Sequence, residues 1–132
     1  MKNFIYQLVD VVNQLELDVP VKIGIFDETE SLMVKPASGS QIIHEYMDGS
    51  VDIRLPFEIS IKKANQEEAF TVLQDVLNHI KNSGEYLSHT NNEEKEAHLL
   101  LHLTMDQIPV FQAHTDGYFI YTSYLTVDLT VA

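Results

Sequence analysis

The 132 residues predict a single α+β domain: a mainly antiparallel, or mixed, β-sheet with two α-helices packed on one of its faces. Three observations lead there. Two segments, 3–17 and 66–82, repeat apolar residues at helical spacing; several runs alternate apolar and polar residues as half-buried strands do; and two of the reversals between those runs carry Asp-Gly, which favours a tight turn.

The first helix is expected over 3–17, where Phe4, Ile5, Leu8, Val12 and Leu15 form a stripe widened by Val9 and Val11, with Pro20 closing it. "VKIGIF" (21–26) then reads as a half-buried strand, "DETE" (27–30) as a charged turn, and "SLMVKPA" as a short strand interrupted by Pro36. "QIIHEYM" and "SVDIRLPFEISIKK" flank Asp48-Gly49, for which a type I′ turn with two positive φ values is expected. In the second of these runs the odd-numbered Val51, Ile53, Leu55, Phe57, Ile59 and Ile61 share one face. Pro56 in its middle calls for an edge position or a bulge.

Asn65 with Glu68 three residues on is a capping box, Glu67 and Glu68 suit a helix N-terminus, and Phe70, Leu73, Val76, Leu77 and Ile80 give the second helix its apolar face, with Gly84 placed to stop it. "EYLSHTNNEEKEA" is polar and expected to be a mobile loop. "HLLLHLT", "IPVFQAHT" and, after Asp116-Gly117, "GYFIYTSYLTVDLTVA" read as three further strands.

Composition narrows the function. A chain that is 45% hydrophobic, with no linker or internal repeat, is expected to fold as one unit, residues 1–132. The absence of cysteine excludes disulfides and thiolate chemistry and fits a reducing compartment. No apolar run approaches the ~20 residues of a membrane span, and acids at 10, 16 and 18 interrupt any signal-peptide core. Eight basic residues against twenty acidic ones, net charge −12, disfavour tight nucleic-acid binding and anionic membranes.

Reactive chemistry is thin. His98 and His102 have the i, i+4 spacing of a zinc pair on a helix, but in a strand their Cα atoms stand about 13 Å apart at ~3.3 Å per residue. His44, His79, His89 and His114 show no ligand spacing with nearby acids. Glu67-Glu68 is better explained by capping, and Glu93, Glu94 and Glu96 by a solvated loop. Ser83, Ser88 and Ser123 lack a nucleophile-elbow context, and "SGS" (38–40) lacks the lysine and helix of a phosphate loop. No enzymatic activity, cofactor or metal is expected.

The closing strand is rich in tyrosine: Tyr118, Ile120, Thr122 and Tyr124 on one face, Phe119, Tyr121, Ser123 and Leu125 on the other. It is either a central strand, apolar on the helix side and aromatic-polar opposite, or a strand whose second face meets another subunit; Tyr121 and Tyr124, one on each face, are the interface residues expected from it.

Taken in order, the N-terminal helix, "VKIGIF", the passage from Tyr46 to Ala69 with its "DGS", "PFEI" and "QEEA", the second helix and "DGYFIYTSYLTVDLTVA" resemble the tail terminator, or minor capsid, proteins of long-tailed bacteriophages, the siphophage tail completion proteins. The resemblance implies a virion protein, assembled in the host cytoplasm, without enzymatic activity or cofactor. It implies a hexameric ring that caps the tail tube, ends its elongation and docks the head connector. Its partners would be itself, the tail tube protein and the connector protein, with DNA passing through the bore. An acidic bore repels phosphate, so some of Asp48, Asp52, Glu58, Glu85, Glu93, Glu94 and Glu96 are expected to face the lumen. Subunit or tail contacts are expected from Tyr46, Asp52, Arg54 and Glu58 on the outward face of the hairpin and from the 85–96 loop. Arg54, the only arginine, suits either a bidentate contact across a subunit boundary or a surface cross-strand pair. Two competing functions are an acidic binding module that mimics nucleic acid or acts as an immunity-like inhibitor, and an enzyme whose polar groups converge in a pocket.

Overall fold

A computed structural model describes residues 2–83, 98–105 and 108–131. In chain order the elements are α1 (Lys2–Asn13), β1 (Val21–Ile23), β2 (Ser31–Pro36), β3 (Gln41–Glu45), β4 (Val51–Lys63), α2 (Gln66–Asn82), β5 (His98–Met105), β6 (Val110–Thr115) and β7 (Tyr118–Val131). The fold is α+β with one mixed, seven-stranded sheet in the order β1-β2-β4-β7-β5. Only β1 and β2 run parallel among the described pairings; the rest are antiparallel.

Two long strands form the spine. β4 pairs with β7 along its whole length, from Val51↔Val131 to Lys63↔Phe119. Each is flanked on its outer side by two shorter strands set end to end: β3 then β2 along β4, and β6 then β5 along β7. Odd-numbered residues of both spine strands share one face, since odd pairs with odd throughout. From that face Ile53, Phe57, Ile59, Ile61, Leu125, Val127 and Leu129 join Leu32 and Val34 of β2, Phe4, Leu8 and Val11 of α1, and Leu73, Val76, Leu77 and Ile80 of α2 in one buried cluster.

Pro56 lies in a central strand, neither at an edge nor on a bulge. Its carbonyl accepts a hydrogen bond from the Ala37 amide at 2.9 Å, so its nitrogen faces the same way, into the 37–40 loop between the end of β2 and the start of β3. The missing N–H falls where the flanking ladder changes strands, so no ladder bond is lost.

Other local expectations need correction. α1 stops at Asn13; tight turns carry the chain through Leu15 to Glu16, whose φ is +51°, and Leu15 and Leu17 are only partly buried against the core. "VKIGIF" forms only a three-residue edge strand, and Ile23 and Ile25 are exposed rather than half-buried. Asp48-Gly49 is not type I′. Gly49 has φ +92° but Asp48 is not in the positive region; the Gly49 amide bonds to the Tyr46 carbonyl and the Tyr46 amide to the Ser50 carbonyl, a three-residue loop ending in a glycine bulge. Asp116-Gly117 does adopt the expected form, with φ +53° and +83° between Thr115 and Tyr118. Asn65 caps α2 as expected, its side chain accepting from the Glu68 amide at 3.0 Å. Gly84 and the 85–97 segment lie outside the described residues.

Candidate functional site

The even-numbered face of β4 and β7 gathers most of the chemistry. At the hairpin end, Asp52 is buried, with one carboxylate oxygen accepting from the Tyr46 hydroxyl at 2.7 Å and the other from Thr130 on β7 at 2.5 Å. These donors, Thr130 foremost and then Tyr46, hold the Asp52 carboxyl below the usual carboxylate range, and the Tyr46 phenol is raised in return. His44 packs edge-on to Tyr46 at 4.5 Å between ring centroids.

One register step along, Arg54 grips Asp128 with a two-point fork, Nε to Oδ1 at 2.8 Å and Nη2 to Oδ2 at 3.1 Å. The hydrogen bond raises the guanidinium pKa and lowers that of the Asp128 carboxyl. Within the chain, therefore, Arg54 makes the cross-strand pair. His102 lies opposite Asp128 on β5.

Farther along, Lys35 stands 3.4 Å from Glu58, and the buried Ser60 and Thr122 hydroxyls meet at 2.8 Å. Lys62 donates to the carbonyls of Asp27 and Glu28 at 2.8 and 3.2 Å and lies 5.0 Å from the centre of the Tyr118 ring. That tether draws the β1–β2 connection onto the even face, leaving a groove of about 450 Å³ between Ile25, Phe26, Met33, Ile120 and Tyr124.

The six residues expected at interfaces thus divide. Tyr46, Asp52, Arg54, Glu58 and Tyr124 belong to the hairpin tip or the even face, with Tyr46 and Tyr124 nearly half exposed. Tyr121 belongs to the core face: it is buried, accepts a hydrogen bond from Gln66 at 3.0 Å, and sits between Phe70 and Phe111. Among the expected lumen acids, Asp48 is exposed and occupied locally by the Ser50 amide and hydroxyl at 2.9 and 2.6 Å, which lower its pKa. Glu85, Glu93, Glu94 and Glu96 lie outside the described residues. Among the described residues, no group of three or more His, Asp or Glu could hold a metal ion, and no helix is long and apolar enough to cross a membrane.

Sequence reasoning missed the sheet margins. Ile25 (73% exposed) and Ile23 near β1, and Ile42 (60%) and Ile43 on β3, lie on one side of the sheet; Ile108, Val110 and Phe111 (47%) lie at β6, on the opposite side. Alternation marks such residues as strand-forming but does not say whether a helix or nothing covers them. It also missed Asp128, the acid inside the last strand, whose partner is set by the β4–β7 register. No protein-family model and no curated protein matches this chain.

Proposed function

We propose that the chain is a structural subunit of a phage or prophage virion, one that caps the tail tube as a homomeric ring, ends tail elongation and forms the head-joining surface. The observation that carries this reading is the placing of exposed apolar residues on two different, opposite margins of one sheet. Two unlike patches on opposite sides of a subunit suit a heterologous, head-to-tail contact, the kind that closes a ring. In this reading both helices cover the odd face, and the even face, with Tyr46, Glu58 and Tyr124, is offered to the tube protein or the connector. The chain's charge of −12 favours a bore that DNA passes without sticking.

A nucleic-acid mimic is less well supported. It needs uninterrupted rows of acids, whereas on the even face Asp52, Glu58 and Asp128 alternate with Arg54, Lys35 and Lys62. The test is to polymerise the tail-tube protein of the same virion with and without this chain and image the products by negative stain. Tubes ended by a ring of extra density, and no longer growing, are expected; tubes that keep growing with bare ends would refute the proposal.

A further inference from the structure

We propose that the joint between neighbouring copies is a main-chain one: the free edge of β6 in one copy pairs with the free edge of β3 in a second copy, continuing the sheet. This rests on the ring reading and names the surface that makes it. Among the described residues β6 pairs only with β7 and β3 only with β4, so each presents one open row of amides and carbonyls. Natural edge strands are usually guarded by lysine, proline or a charge. β6 has none of these within Val110–Thr115 and exposes Val110 and Phe111 at the margin; its only guard among the described residues is one bulge between Phe111 and Ala113, matched by one between Ile42 and His44 on β3.

Charge selects the occupant. A chain with twenty acids approaches its own copy only through acid-free surface, and 108–115 contains no charged residue. On the opposite margin β3 is uncharged from Gln41 to His44, is exposed throughout, and carries Ile42 and Ile43. β1 is the poorer partner, with three residues and Lys22 at its centre. A basic partner protein would instead seek the acidic surface.

The backbone directions supply a discriminating variant. Across the two-residue Asp116-Gly117 turn, Thr115 and Tyr118 form the pair next to the loop, whose N–H and C=O groups face each other; those of His114 therefore point outward. His114→Pro removes an outward donor and spares the β6–β7 ladder. His114→Ala removes the same imidazole, which stacks on Phe119 at 4.0 Å, but keeps the N–H. Sedimentation equilibrium up to about 1 mM chain, the weak limit of specific association, with circular dichroism to verify folding, should show self-association in the wild type and in His114→Ala. The association constant should fall at least about tenfold in His114→Pro. Phe111→Lys, which restores an edge guard without touching the backbone, should show the same loss. Rings that form equally well in wild type, His114→Pro and Phe111→Lys would overturn the β6 joint and leave the ring reading standing. A wild type that stays monomeric throughout would overturn this self-pairing joint, while the ring reading itself stands or falls on the tail-tube test.

Discussion

Lys63 is the sharpest place to test how this domain is held together. It sits on the core face at the end of β4, only 2% exposed, with its ammonium 3.2 Å from both Asp18 carboxylate oxygens and 3.5 Å from Glu68. Burial works against the charge, but Asp18, Glu30 and Glu68 outweigh it and hold the Lys63 pKa above the ordinary lysine value. Its two carboxylate partners are mostly solvated, 73% and 60% exposed, so each pair contributes only about 0–1 kcal/mol. The buried stem contributes more: at roughly 0.8 kcal/mol per methylene, truncation to alanine removes about 2–3 kcal/mol of apolar burial. Lys63→Ala should therefore cost about 3 kcal/mol, whereas Lys63→Met, which keeps the stem and removes the buried charge while leaving its former partners in water, should lie within about 1 kcal/mol of wild type. Urea unfolding followed by circular dichroism measures both; with a slope of about 2 kcal/mol/M the alanine midpoint falls by about 1.5 M. If methionine costs as much as alanine, the ammonium and not the stem is the stabilising part, and the reasoning fails.

Three further outcomes are expected. Asp52 and Asp128 have folded pKa values below their unfolded ones, so each adds stability that is present above about pH 3.9 and is lost as pH falls through the lowered folded value. Asp52→Asn and Asp128→Asn should lower Tm at pH 7 and converge on wild type in acid, and a Tm gap independent of pH between 7 and 2 would contradict the assigned hydrogen bonds. Gly117→Ala forces a side chain into φ +83°, and a thermal melt should show a loss of about 1 kcal/mol or more. Leu73→Ala, fully buried on α2, should cost about 2–5 kcal/mol in the same urea assay.

What was legible in the sequence follows from how local each cause is. The second helix was readable to its ends because its cap, first-turn acids and apolar stripe are all encoded within Asn65–Asn82. The parity of β4 was readable because alternation is a property of one strand. The same Asp-Gly dipeptide made two different turns, however. At 116–117 two residues close the hairpin and both take positive φ; at 48–49 the loop is one residue longer, only Gly49 takes positive φ, and the Asp48 carboxylate accepts from the Ser50 amide. The Arg54–Asp128 fork spans 74 residues and depends on the β4–β7 register, which no local pattern encodes. Pro56 was misplaced for a related reason: its tolerance comes from a gap between β2 and β3, a feature of the sheet and not of the strand. For the candidate surfaces, the even-face residues followed from parity, but the bare apolar margins did not, since an apolar residue in a strand reads the same whether it is covered or open.

The most direct measurement is the mass of the purified chain by light scattering behind size exclusion, with negative-stain images of the peak. A closed ring of six times the 15.1 kDa chain mass, with a stain-filled bore, is expected. A symmetric dimer without a bore, or a monomer at every concentration and in the presence of tail tubes, would contradict it.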